Sequence, residues 1–275
     1  MKQTQPIIVI DLLPEMLDEL LRVLSGLSAD EWDRRTACPS WSVKDVALHL
    51  LGGDIGVLSR KRDGFSFTES VKVWDELVNL INQMNAVWIE ASRRISRRLL
   101  CELLEFTGNQ VIDYFQSLDP YALGEPVSWS GPDPAPVWLD LAREYTERWH
   151  HQQHIRDAVE KPGLKQPKFF APVLDAFVRA LPHAYRNVEA AEGTQVALTI
   201  TGTSGGRWTL LKENGKWQLY LDVGEKADAE VFIEDDVAWR VFTKGLSRAE
   251  ARSKAMILGD QALGLKILDT VSIIA

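Results

Sequence analysis

The chain has 275 residues, 45% of them hydrophobic and 25% charged, an ordinary globular composition over a length that favours two domains. A net charge of −8 argues against a general nucleic-acid binder, which would present a basic face. Two cysteines, Cys38 and Cys101, cannot build a disulfide framework, so a reducing cytoplasmic setting is expected. The opening apolar run, Ile7 to Ile10, is cut short by Asp11 and is too brief for a signal peptide or a membrane span.

The first half reads as helices. Asp11 to Leu27 carries Leu13, Leu17, Leu20, Leu21 and Leu24 at helical spacing. Ser28-Ala-Asp-Glu31 has the capping-box pattern and opens a short helix. Ser42 with Asp45 sets the next start, and Gly52-Gly53 predicts a bend or weakening after His49. From about Glu69 to Leu118 the pattern stays helical, divided or bent near Asn79 to Asn85 and at Gly108. A proline- and glycine-rich loop runs from Asp119 to Pro136, over the bundle of helices, and a helix from Val137 to about Glu160 follows.

Lys161 to Pro167 reads as a linker, and Phe169 to Val188 as a helix with Pro182 a candidate kink. Beyond it the pattern turns to strands: Gln195–Thr201, Arg207–Leu211, Lys216–Leu221 after an Asn214-Gly215 turn, and Ala229–Ile233. Helices are expected over Asp235–Lys244 and Ser247–Lys254, a short strand over Met256–Leu258 and a closing helix over Gln261–Ile274. Strands grouped between helices predict a small α+β domain. Ten tryptophans are many for this length and point to buried clusters, or to an aromatic-lined cavity.

Three of the five histidines fall within the run Glu147-Arg-Trp-His150-His151-Gln-Gln-His154. On a helix Glu147, His151 and His154 project within roughly 60° of one another. A carboxylate and two imidazoles form a ligand set suited to a divalent metal such as zinc. If the helix ending near His49 packs alongside, then His49, Glu147 and His151 make a three-ligand site in a bundle core, with a position open to water or substrate. His154 is placed as a fourth ligand, an orienting neighbour or an acid/base. The ordinary explanation stands beside this one: Glu and His four apart recur by chance on helices, and a lone His49 on an apolar segment suits a hydrogen-bonded core residue. His150 reads as a helix-surface or supporting group, and His183 as structural.

Cys38-Pro-Ser-Trp-Ser-Val-Lys-Asp-Val-Ala-Leu-His-Leu50 and Glu147-Arg-Trp-His-His-Gln-Gln-His-Ile-Arg-Asp-Ala158 resemble the two signature segments of mycothiol-dependent maleylpyruvate isomerases and their DinB-like relatives. The resemblance implies an antiparallel four-helix bundle over residues 7–161 that holds a divalent cation, commonly zinc, through His49, Glu147 and His151. It also implies a sterol-carrier-like α+β domain over 168–275, carried by Ala227 to Trp239 and Met256 to Asp260. Where many relatives carry aspartate three residues past the second histidine, this chain has His154. The activity implied is a thiol-dependent transferase or isomerase joining a small thiol, such as mycothiol, to a small electrophile, with no nucleic-acid partner and no membrane insertion. Because that thiol diffuses in, both cysteines are expected to be dispensable for activity. The alternatives are a non-catalytic small-molecule or lipid-binding protein, with Trp208, Trp217, Tyr220, Phe232, Trp239 and Phe242 lining a cavity, or a metal-dependent hydrolase.

Overall fold

A computed structural model describes residues 2–65, 73–221 and 227–273. The N-terminal part is helical and the C-terminal part is α+β, as the composition of the elements predicts. Contacts gather the chain into two compact units. One is built from Val9–Asp119 and Glu144–Leu164, the other from Met1–Ile8, Pro120–Arg143 and Lys165–Ile274. The loop after Asp119 thus belongs to the α+β unit and not to the helical one. Among the described residues no helix is long and apolar enough to cross a membrane.

In the helical unit, one 3-10 turn (Ile10–Leu12) leads into α1 (Leu13–Ser25). The capping box of Ser28 and Glu31 opens α2 (Ala29–Trp32), and that of Ser42 and Asp45 opens α3 (Val43–Gly56). The predicted weakening at Gly52-Gly53 does not occur, because α3 continues through both residues into a wider π-turn over Val57–Arg62. Gly52 serves packing instead: a Cβ there would meet Trp88 Nε1 at 2.7 Å, and that indole donates to the Leu48 carbonyl at 2.7 Å.

The long helical stretch divides at neither predicted point. α4 (Trp74–Ser92) and α5 (Arg97–Gln116) part at 93–96, where the Ser96 hydroxyl accepts from Leu99 N and caps α5. Asn79 and Asn82 lie on the exposed side of α4 and break nothing, while Gly108 gives α1 room, since a Cβ there would strike the Leu17 methyls at 2.8 Å. The predicted start near Glu69 lies outside the described residues. α6 (Val137–Val159) follows the loop.

In the α+β unit the expected helix over Phe169–Val188 is two: α7 (Pro167–Val178) and α8 (Leu181–Ala184), the second begun by Pro182 in its first turn. The sheet runs β1-β4-β3-β2-β5-β6, with β1 at Lys2–Gln3, β2 at Gln195–Thr201, β3 at Gly206–Glu213, β4 at Lys216–Leu221, β5 at Ala229–Glu234 and β6 at Met256–Gly259. Among the described residues only the β2·β5 pair is parallel. Asn214 and Gly215 both take positive φ, 51° and 73°, as the tight β3–β4 hairpin requires. The strand β1, which the sequence did not suggest, pairs with β4 at the sheet edge.

α9 (Asp235–Phe242), α10 (Arg248–Lys254) and α11 (Gln261–Ile267) complete the unit; α11 ends at Ile267, short of its predicted length, and Ile274 lies outside the described residues. Trp208, Trp217, Trp239 and Phe242 are buried, and each of the three indoles donates to a protein oxygen, as core side chains do.

A buried charge cluster fixes α6 in the helical unit. Arg148 donates to Asp54 of α3 at 2.8 Å and to Glu144 one turn back at 2.7 Å, while Thr107 of α5 donates to Asp54 at 2.9 Å. Lys61 lies 3.6 Å from Glu144. Removing one member of such a cluster strands a buried charge, so Arg148→Met is expected to cost about 3–5 kcal/mol. Adding Asp54→Leu to it should restore part of that loss. Urea denaturation of the single and double variants checks this; a double variant no more stable than Arg148→Met would contradict the assignment.

Candidate metal centre

The centre is built on one loop and two helices of the helical unit. Between Arg34 and Ser42 the chain turns tightly, with Val43 N donating to Arg34 O at 2.9 Å, Trp41 N to Cys38 O at 3.1 Å, and Ser40 at φ 66°. This turn delivers Cys38 and Trp41 beside the start of α3. Asp45, which caps that start, also accepts two hydrogen bonds from Arg93, so the helix is anchored at its first turn. Two turns further on, His49 lies with its ring centroid 5.0 Å from that of Trp41.

α6 supplies the rest. Glu147 Oε1 lies 3.0 Å from His49 Nε2 and 3.1 Å from His151 Nε2, and the His49 and His151 rings stand edge to face at 4.6 Å. Cations of the zinc class hold nitrogen and oxygen donors at about 2.0–2.2 Å, which for a tetrahedron sets donor–donor edges near 3.4 Å. The two observed edges fall short of that by only a few tenths of an ångström, and the three donors lie within 4.8 Å of one another. The donor set therefore fits a divalent cation. Glu147 is 34% exposed while the His151 side chain is 8% exposed, so an incoming group would approach from the carboxylate side.

Electrostatics prepare the donors. Burial, reinforced by the neighbouring His150, pushes His151 down to about 3, and burial likewise lowers His150. Burial opposes the charge on Glu147, yet the pull of His151, hydrogen bonds with His151 and His49, and the pull of His150 prevail and hold it well below the usual carboxylate range. The folded chain thus presents an ionised Glu147 and a neutral His151. Since His151 Nε2 donates to Glu147, the single proton of the neutral ring sits on Nε2 and leaves Nδ1 a bare acceptor.

The other predicted residues fall differently. His154 is not among the donors around Glu147; its Nδ1 lies 3.4 Å from His151 Nδ1, behind the ring. His150 is buried rather than on the helix surface, donating from Nδ1 to the Thr146 carbonyl at 2.9 Å. His183 sits on α8 in the α+β unit. Two neighbours went unforeseen. Trp41 lies across the imidazoles, and Cys38 Sγ stands 3.0 Å from His154 Nδ1 and 4.0 Å from His151 Nδ1. The only sequence signal for either was their place in the segment that ends at His49.

Residues 13–156 match the family model of the mycothiol maleylpyruvate isomerase N-terminal domain. The chain belongs to this family. Two crystal structures of the mycothiol-dependent maleylpyruvate isomerase, one of a histidine-to-alanine mutant, share its fold, with TM-scores of 0.52 and 0.51 at 13% and 12% identity. Each match covers 84% of this chain and 86% of the other. The solution structure of sterol carrier protein domain 2 of Helicoverpa armigera matches at a TM-score of 0.29 and 20% identity over 39% of this chain and 91% of that one, too weakly to carry an argument. No curated protein sequence matches the chain.

The depressed histidines make stability depend on pH. Unfolded, His150 and His151 bind protons near their ordinary pKa; folded, they refuse them, so lowering the pH from 7 to 5 favours unfolding. Glu147 works only below its unfolded value near 4.5 and stays silent in this window. The metal-free protein should lose about 2 kcal/mol from His151 between pH 7 and pH 5, and His151→Asn should show a shallower decline. Denaturant titrations at both pH values measure this; equal slopes for the two proteins would contradict it.

Proposed function

We propose that the chain is a divalent-metal-dependent enzyme that uses a low-molecular-weight thiol, mycothiol or a relative, to transfer or isomerise a small electrophile of the maleylpyruvate kind. The observation that carries this reading is the convergence of one carboxylate oxygen and two imidazole Nε2 atoms from α3 and α6. Membership of the maleylpyruvate isomerase family supports the thiol and the substrate class. On this reading the helical unit, which lies within residues 7–161 apart from its last few residues, is a DinB-like four-helix bundle, residues 168–275 belong to a sterol-carrier-like domain, and the cytoplasm is the setting.

His49, Glu147 and His151 would hold the cation. When bound, it supplies Lewis acidity that keeps a small thiol ionised near neutral pH. The residues of the chain do the rest. Glu147 brings one negative charge to the centre, so a cation held there keeps more Lewis acidity than one bound by several anionic ligands. Its exposed edge leaves a route for the thiol and the electrophile. Trp41 lies against His49 and would shield that side of the donors. With Nε2 serving as the ligand, the His151 proton would sit on Nδ1, where His154 Nδ1 would accept a hydrogen bond from it. His154 is thereby a positioning residue that sets the tautomer and the tilt of His151.

Metal analysis and turnover test the reading together. Zinc-loaded protein supplied with mycothiol should isomerise maleylpyruvate, and omission of the thiol should abolish turnover. His49→Ala and Glu147→Gln, folded by circular dichroism, should lose activity by a hundredfold or more, while His150→Ala should retain stoichiometric zinc. Turnover without thiol, or full activity in Glu147→Gln, would contradict the proposal.

A further inference from the structure

Cys38, His151 and His154 form a second donor cluster on the opposite side of the His151 ring. The sulfur lies 3.0 Å from His154 Nδ1 and 4.0 Å from His151 Nδ1, and the two nitrogens are 3.4 Å apart. A tetrahedral cation with sulfur at about 2.3 Å and nitrogen at about 2.0–2.1 Å sets a nitrogen–nitrogen edge near 3.4 Å and sulfur–nitrogen edges near 3.5 Å. The first matches, and the two sulfur distances bracket the second. The three donor atoms lie within 4.8 Å of one another, with His151 buried and the other two half-buried. We propose that Cys38 Sγ, His151 Nδ1 and His154 Nδ1 are a second cation site, selective for d10 ions softer than zinc, that shares the His151 ring with the Glu147 site.

The two nitrogens of the His151 ring point to different donor sets. The hydrogen bond from His151 Nε2 to Glu147 requires the proton on Nε2, which directs the Nδ1 lone pair toward Cys38 and His154. A cation on the thiol side therefore finds His151 in its ligating tautomer while the bond to Glu147 is kept. A cation on the Glu147 side needs the opposite tautomer. While the ring keeps its one proton only one of its two nitrogens can ligate, so a neutral His151 serves one site at a time. The ligand sets then sort metals by softness: a thiolate with two imidazoles favours soft ions, whereas a carboxylate with two imidazoles suits harder ones. On ligation the Cys38 thiol gives its proton to the solvent, and no electrons change hands. This inference extends past the proposed activity and does not require it.

Cadmium, softer than zinc, is the probe. Full-length Cys101→Ser protein, stripped of metal, is titrated with cadmium, so that ultraviolet thiolate-to-cadmium absorption can come only from Cys38. The absorption should saturate at one cadmium per chain and persist in the His49→Ala variant, which damages only the Glu147 site. Cadmium affinity should fall roughly tenfold or more in His154→Ala. Absence of the absorption, its loss in folded His49→Ala, or unchanged affinity in His154→Ala would overturn the site. Should a histidine variant fail to fold, alkylation of Cys38 in the Cys101→Ser protein decides: cadmium should slow it at least tenfold, and an unchanged rate would refute the site.

Discussion

The buried guanidinium of Arg148 holds the register on which the centre depends. It ties α6 to α3 through Asp54, one residue past Glu147 on one helix and five past His49 on the other. Contacts between the two segments run in opposite order: Arg34 donates to the carbonyl of Ala158, Cys38 meets His154, His49 meets Glu147, and Lys61 meets Glu144. α3 and α6 are therefore antiparallel, and one fixed point aligns the whole row. A slip of one helical turn would carry Glu147 about 5.4 Å from His49, beyond any shared cation. Burial pushes the Asp54 carboxyl up in pKa against the pull of Arg148, so the clamp gives register at some expense in desolvation.

Around that register, protonation is arranged by burial. His151 is kept neutral where water is excluded, and Glu147, though partly exposed, is kept ionised by the imidazoles that donate to it. A neutral imidazole has one proton and two nitrogens, so every partner of one nitrogen dictates the state of the other. That rule links Glu147 to Cys38 and His154 across a single ring, and it makes His151 the pivot of both donor clusters. Trp41 and the tight turn before it complete the surroundings, which explains why the segment from Cys38 to His49 works as one piece.

Much of the fold was legible because it is locally encoded. Ser28 and Ser42 cap the helices their spacing announces, and Asn214-Gly215 makes the hairpin turn its φ freedom allows. Glycine was harder to read: Gly52 and Gly108 look like breaks in a linear pattern, yet both are close-approach points, set by Trp88 and Leu17 from other helices. His49, Glu147 and His151 could be named as a set from helical spacing and family resemblance, and the structure brings them together. The turn that carries Cys38 to His154 and the cluster around Arg148 depend on tertiary register, which no spacing along one segment reports. For His150 the sequence leaves helix surface and supporting group both open, and only packing, which buries it, excludes the first.

The most direct measurement is the anomalous scattering of zinc in crystals of the full-length protein. One peak is expected, about 2.0–2.2 Å from His49 Nε2, Glu147 Oε1 and His151 Nε2 together. A peak elsewhere, or none at these three atoms under saturating zinc, would contradict it.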